Sequence, residues 1–430
     1  MTGHDSTSDV SRRSILKTAG AAGAAGLTGL SGCIGGLTGG GESQEPIELL
    51  HAWSSGDGSD AIAALLEGFQ EEHPDVEFAE EPVNGAARKN LGTVIQNRMQ
   101  SNNPPSTWQA WPGKNLEKFA GAYGDLEGDV WDDDMKSNYL PGPKKQAQLD
   151  GTYVTVPLNI HRINNLFYNT AVVEEAGVDP SSIETPDDLT AAMQKVADNT
   201  DATPMAQQTS SNWSTVQLWA TVLLGQAGQS GYNAFVNGNG KEAQVKKALQ
   251  TVKDYSEFYF DDSASISWTE GNSRFMKDQA AFIHQGDWAA GAYSGNDDFN
   301  YGEDWDHVPF PGTDGYYALN MDSFPFPSNN PSPEATKTFL SYCGSTDAQI
   351  RFNQKKGSIP PRKDADPSKL NTFQQDQFDD FTSSEAQPPS IQHGLALSPA
   401  IRTNVLDAFS GFIESYDVDK TTRQLLGSFS

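Results

Sequence analysis

From residue 47 onward, apolar positions first run together and then recur at helical spacing. Residues 47–53, mostly apolar with Glu48 and His51 between, read as a strand, and over 60–72 Ile62, Leu65, Leu66 and Phe69 fall on one helical face. Pro74 stops that helix, and Val76-Glu77-Phe78 returns to period two. Strand, helix and strand in this order make a βαβ unit and predict a parallel sheet. A second helix is predicted over 88–100, ended by Asn102-Asn103-Pro104-Pro105, with a strand resuming over 108–111. Thr185-Pro186-Asp187-Asp188 reads as a helix start, with Thr as N-cap, Pro at the first helical position and acids in the first turn. Further helical patterns occupy 217–224, 242–260 and 334–352. Alternating α and β without internal repeats gives an α/β protein, and about 400 residues beyond the leader are too many for one small core, so two lobes are expected.

The segment before residue 47 breaks this pattern. Arg12 and Arg13, followed by Ile15, Leu16 and Lys17, precede a weakly apolar Ala/Gly run that stops at Leu30-Ser31-Gly32-Cys33. It resembles a twin-arginine export signal joined to a lipoprotein cleavage box, occupying 1–32. The apolar run is shorter than the ~20 residues of a membrane helix. Removal would leave Cys33 as the lipidated N-terminus, and the Gly-rich 33–46 would be a flexible tether reaching roughly 20 Å. The domain is then expected at the outer face of the cytoplasmic membrane, exported by the twin-arginine route.

Charge changes the expected surroundings. The chain has 29 Lys and Arg against 57 Asp and Glu, a net −28, and removing the export segment makes it more negative still. Such self-repulsion is tolerable in molar salt, where the screening length falls to about 3 Å, so the surface reads as that of a halophile. Nucleic acid is excluded as a partner, because no basic patch could neutralise phosphates. The clusters Asp132-Asp133-Asp134 and Asp261-Asp262 read as solvated surface rather than calcium ligands.

Beyond Cys33 there is one other cysteine, Cys343, inside an apolar helical pattern, so neither a disulfide nor a Cys-based zinc site is available. The seven histidines form no HExxH pair, and there is no GxxxxGK[ST] loop, GxSxG elbow or GxGxxG turn. No metal or cofactor is called for.

Several blocks together carry a specific resemblance. LLHAWSSGDGSDAIAALLEGFQEEHPDVEF (49–78), NNPPSTWQAWPGK (102–114), GTYVTVPLNIHRINNLFYN (151–169), AAFIHQGDWAAGAY (280–293), VPFPGTDG (308–315) and KGSIPPRKDAD (356–366) look like successive landmarks of the extracellular solute-binding proteins that feed sugars to ABC transporters. The NIHR, GDW and GSIPxR stretches with SIQHGLA (390–396) are most similar to the glucose- and mannose-binding branch. The resemblance implies a periplasmic-binding-protein-like fold: two α/β lobes, a hinge and a ligand cleft between them. It places 47–158 with 310–333 in the first lobe and 159–309 with 334–430 in the second. The chain would leave the first lobe near 157–159, return near 309–312 and cross again around the helix starting at Glu334. Closure over the ligand would be what the membrane permease reads.

A pyranose has apolar C–H faces rimmed by hydroxyls, so its site needs aromatic plates and groups that donate and accept hydrogen bonds. Trp53, at the C-terminal end of the first strand, lies where open α/β sheets place ligands; a core position under the first helix is the alternative, and the polar, Gly-rich loop 54–59, which leaves one face open, favours stacking. Trp288 follows Gly286-Asp287 at another strand end, where Asp287 could accept sugar hydroxyls or cap the helix behind it. Lys114 and His393 fall where the resemblance puts ligand donors. His161 and Arg162 follow the expected hinge, with Arg162 read as a hinge support; Asn159, Asn320 and Asp322 are further candidates. Asp322 stands in a MDSF stretch where relatives read closer to SDAF. Trp213 is a possible second plate inside Asn212-Trp213-Ser214, the one N-glycosylation acceptor in the sequence.

The resulting expectation is a monomeric, lipid-anchored receptor delivering a glucose-like monosaccharide to an ABC importer, with no catalysis. Receptors for another sugar or an oligosaccharide are the nearest alternatives. A secreted carbohydrate-active enzyme would need two carboxylates across one cleft, and nothing in the sequence singles out such a pair. An adhesion lipoprotein would be β-rich and repetitive, which this chain is not.

Overall fold

The computed structural model describes residues 45–54, 56–83 and 89–429. Arg12, Arg13 and Cys33 lie outside the described residues, as does the Gly-rich stretch up to residue 44. Among the described residues no helix is long and apolar enough to cross a membrane.

The opening βαβ reading is realised. Ile47–His51 is the central strand of a parallel sheet, flanked by Phe78–Pro82 and Thr107–Trp108. Helix Gly56–Glu72 connects the first two and buries Ala61, Ile62, Leu65 and Phe69. Phe69 meets Phe339 and Tyr342 edge-on at 5.2 and 5.5 Å, so helices Pro333–Cys343 and Thr346–Lys356 complete this first core. They are two helices rather than one over 334–352, because Ser345 caps the second, accepting from the Ala348 amide at 3.2 Å.

The second sheet is mixed. Asn165–Asn169 lies between Trp305–Pro309 and Ala280–Gln285, antiparallel to both, and Thr203–Met205 pairs in parallel with Ala280–Gln285. Helix Trp213–Val236, longer than its predicted 217–224, buries Val216, Trp219, Ala220 and Leu223 in the second core. Pro186–Asn199 begins as expected: the Thr185 hydroxyl accepts from the Asp188 amide and the Asp188 carboxylate accepts from the Thr185 amide. Glu242–Tyr255 ends in a short 3-10 turn, Ser256–Phe258.

Three extended segments run between the two cores. Thr155–Pro157 pairs antiparallel with Ser323–Pro325, and His161–Arg162 with Leu319–Asn320. Ile160 exchanges backbone hydrogen bonds with Ile359 at 2.8 and 3.1 Å, which adds the third. Two expectations are corrected here. The return is at 319–325 rather than 309–312, because Trp305–Pro309 is still laddered into the second sheet and the Phe310 amide donates to the Asn164 carbonyl. The third crossing lies at Ile359 rather than Glu334, so 334–356 belongs with the first core and 310–318 with the second.

Candidate functional site

The crossing segments set the site. In an extended backbone, alternate side chains face opposite ways. Ile160 joins an apolar cluster with Leu319, Met321 and Ile359, whereas Asn159 and His161 enter one polar network. His161 donates from Nδ1 to Asp287 Oδ1, and Asp287 Oδ2 accepts from the Arg162 amide at 3.0 Å. On the other side of the ring, Asn159 Nδ2 stands 2.9 Å from His161 Nε2, with Asp322 Oδ2 at 3.6 Å. Asn159 Oδ1 already accepts from the Asp322 amide at 2.7 Å, so the Asn159 nitrogen faces the imidazole and donates to it when the ring is neutral.

The relay continues into the first half. Gln109 Nε2 donates to Asp322 Oδ1 at 3.1 Å, and Gln109 Oε1 accepts from the Ala52 amide at 2.9 Å. Hydrogen bonds therefore join the end of the first strand to the end of Ala280–Gln285, the strand ends where open α/β folds hold ligands. His161 and Asp287 are buried to 2% and 0% side-chain exposure. Burial pushes the His161 pKa down, but the charge and hydrogen bond of Asp287, with the bond to Asp322, outweigh it and hold it above its ordinary value.

A row of half-buried rings borders the network. Trp288 meets His161 at 5.3 Å, His393 at 5.8 Å and Trp213 at 6.4 Å between ring centroids, and Trp111 meets His393 at 4.9 Å. Trp288 Nε1 donates to Gln285 Oε1 at 3.1 Å, which fixes its plane, and His393 Nδ1 stands 2.7 Å from Ser390 Oγ. Trp111, Trp213 and Trp288 keep part of their surface open, as plates for a sugar face must.

The two halves also touch away from the crossings. Within the first half, Lys356 Nζ pairs with Asp57 at 2.5 Å, both side chains nearly buried. Helix Trp288–Tyr293 presses on them through Gly291, where a Cβ would stand 3.0 Å from the Lys356 carbonyl oxygen and 3.1 Å from Asp57 Cβ.

Asn159, His161, Trp213, Asp287, Trp288, Asp322 and His393 thus come together, while two expected residues do not. Trp53 is 8% exposed and packs in the first core against Phe324 and Phe352, so tightly under the first helix that a Cβ at Gly58 would stand 2.5 Å from its ring. Its stacking role is corrected to a core role. Lys114 is exposed on Gly113–Phe119, and its backbone amide reaches the Leu395 carbonyl at 3.3 Å. The capping alternative for Asp287 is corrected: it makes no side-chain cap on the helix that follows, and its two carboxylate oxygens accept instead from His161 and the Arg162 amide. Asn320 lies opposite His161 in the ladder, and Arg162 supports the hinge by donating to Asp380 at 2.6 Å beneath the Tyr317 ring.

The acidic clusters have structural employment. Asp132 caps Asp133–Asn138, Asp134 pairs with Arg362, and Asp262 holds Arg274 through two bonds of 2.7 Å. All five of these acids are exposed, as a solvated surface requires. Sequence reasoning missed Gln109, Trp111, Asp57 and Lys356. A polar residue inside the apolar Trp108–Trp111 run was the available signal for Gln109; none marked Lys356.

A family model for bacterial extracellular solute-binding proteins matches residues 64–378, most of the chain. The chain belongs to that family. A second model, for the twin-arginine translocation signal, matches residues 9–29 and takes in Arg12 and Arg13. The xylose/arabinose-binding protein of Haloferax volcanii is 43% identical over 398 residues, 92% of this chain and 87% of that protein. An ABC transporter extracellular-binding protein of Pyrococcus horikoshii is 32% identical over 389 residues, 89% and 87% of the two chains. A solved bacterial solute receptor with preference for β-D-galactopyranose superposes with a TM-score of 0.78 at 18% identity, covering 89% of this chain and 97% of that one. A chitin oligosaccharide-binding protein does so at 0.78 and 18%, covering 90% and 98%. At such identities the two structures establish the shared two-lobe fold.

Proposed function

We propose that this family member is a sugar receptor without catalytic chemistry, anchored through a lipid on Cys33, that delivers a monosaccharide to an ABC importer. What carries the reading is the meeting of half-buried Trp rings with a buried polar network where the two halves join, in a chain 43% identical to a xylose/arabinose-binding protein. The segments around 155–162, 319–325 and 357–361 are the hinge, and ligand held between the lobes favours the closed form that a permease would recognise. The cargo is an aldose. The pentose-binding relative puts xylose and arabinose ahead of the glucose-like hexose expected from the sequence. An enzyme would need two carboxylates free to face one sugar, whereas Asp287 and Asp322 are turned onto His161, the Arg162 amide and Gln109.

The test is calorimetric titration of the processed protein in multimolar salt with D-xylose, L-arabinose, D-glucose and D-mannose, alongside a reducing-end assay at excess protein. Saturable binding with the sugar recovered intact supports the receptor. Turnover, or no heat with any of the four, removes it. Cys33→Ser should release the protein from the membrane fraction, and retention there would remove the lipid anchor.

A further inference from the structure

Two buried glutamines of the second half carry side-chain amide atoms without partners among the described residues, and we propose that they read the sugar's hydroxyls. This rests on the receptor reading above. Gln207 and Gln217 are each 1% exposed. Among the described residues, neither the amide nitrogen nor the oxygen of Gln207 has a hydrogen-bond partner, and the Gln217 oxygen has none either. The Gln217 nitrogen has only a 3.5 Å contact to the Ile163 carbonyl. A buried amide left without a partner is destabilising, because it has given up its bonds to water. Gln208, the next residue, shows what a satisfied amide here looks like: its nitrogen donates to Ser214 Oγ at 2.7 Å and its oxygen accepts from Ser210 Oγ at 3.0 Å.

Their placement matches the ring row. Trp213, Gln217 and Thr221 lie four residues apart on one face of helix Trp213–Val236. That face runs along the end of Ala280–Gln285: the Thr221 hydroxyl stands 3.1 Å from His284 Nε2, Gln217 reaches Ile163 beside the hinge, and the Trp213 ring faces Trp288. Gln207 leaves the neighbouring strand immediately after Ala206, whose amide donates to the Phe282 carbonyl at 2.7 Å. On the other side of Ala280–Gln285 from Thr203–Met205, Asn165 lies directly opposite Gln285 in the ladder, with its own side-chain oxygen unpartnered. A carboxamide presents one donor and one acceptor side by side, the complement of two adjacent hydroxyls of which one accepts and one donates. The ligand class is therefore a monosaccharide presenting a vicinal diol to the second lobe, its C–H face against Trp213 or Trp288.

The decisive comparison is Gln207→Leu, Gln207→Met and Gln217→Leu against Gln208→Leu, each measured by ligand-free melting and by titration with the best sugar of the panel. Removing a ligand-reading amide should raise Kd roughly ten- to a hundredfold. It should leave the ligand-free melting temperature unchanged or higher at 207, where the lost amide bonded nothing among the described residues, and nearly unchanged at 217, where it made only the long contact to Ile163. Gln208→Leu should lower the melting temperature. A series of monodeoxy analogues adds a specific readout: one of them should bind wild type and Gln207→Leu equally. Variants at 207 and 217 that melt lower yet bind like wild type would make both glutamines structural and overturn the proposal. Wild type binding none of the sugars would overturn the receptor reading, and this proposal with it.

Discussion

Replacing Asp287 by Asn keeps the shape of the side chain and removes its charge from beside His161. The pair has side-chain exposures of 2% and 0%, so solvent screens it little, and one of the two bonds from His161 Nδ1 and the Arg162 amide must be lost. Breaking a buried pair by removing one partner costs about 3–5 kcal/mol, a large share of the 5–15 kcal/mol that holds a typical domain. The pH dependence should change sign as well. In the wild type, burial lowers the His161 pKa, and the Asp287 charge and hydrogen bond with the Asp322 bond raise it further than that, above the ordinary 6.5. The folded state then holds the proton more tightly than the unfolded one, so this contribution is complete below 6.5 and is lost as pH rises through the folded value. Without the Asp287 charge, burial dominates and the folded value drops beneath 6.5. Stability is then lost as pH falls, because the unfolded chain takes the proton first. Urea midpoints for the two proteins, measured from about pH 5 to 8 at fixed high salt, would show this as opposite slopes for the His161 contribution. Parallel profiles separated by less than about 1 kcal/mol would refute Asp287 as the group that sets the state of His161.

Three further outcomes are expected. Trp53→Ala should cost about 3–5 kcal/mol of stability, as a core truncation does, while changing sugar affinity less than threefold by titration of the folded variant; a large affinity loss at unchanged stability would return Trp53 to the cleft. Gly291→Val inserts a wedge against Lys356 and Asp57, so it should weaken sugar binding roughly tenfold with the ligand-free fold intact by circular dichroism, and wild-type affinity would mean that the contact plays no part in closure. Lowering salt from molar to about 0.1 M lengthens screening to about 10 Å, so a chain of net −28 should melt earlier; a flat melting temperature would remove the halophilic reading.

Legibility in the sequence followed the range of the interactions. The opening strand, helix and strand, and the Thr185 cap, depend on neighbours within one turn or one short strand, and both were readable. His161, Asp287 and Trp288 were readable through the NIHR and GDW stretches, although no pattern announced that the carboxylate would turn inward to the imidazole rather than outward to ligand. Trp53 shows the opposite case: a residue at a strand end can face the cleft or the helix above it, and Phe324 and Phe352, which settle the matter, are nearly three hundred positions away. The lobe boundary failed for the same reason, since the apolar face of 334–356 fits either core until Phe69 is seen to meet Phe339. Gln207 and Gln217 carried no periodic signal, because what marks them is the absence of a partner.

The late arrival of Pro333–Cys343 and Thr346–Lys356 in the first core has a consequence for synthesis. Phe69 emerges from the ribosome about 270 residues before Phe339, which at roughly 5–20 residues per second is a delay on the order of 15–50 s. Throughout that interval the first βαβ unit has its helix but not the aromatic surface that covers it. The second core closes later still, since it needs Phe409 and Phe412 of Pro399–Ser415 and Leu425 of Val418–Gly427. The first half is therefore complete before the second, and a nascent chain halted anywhere before about residue 350 presents the exposed Phe69 face to whatever it meets first.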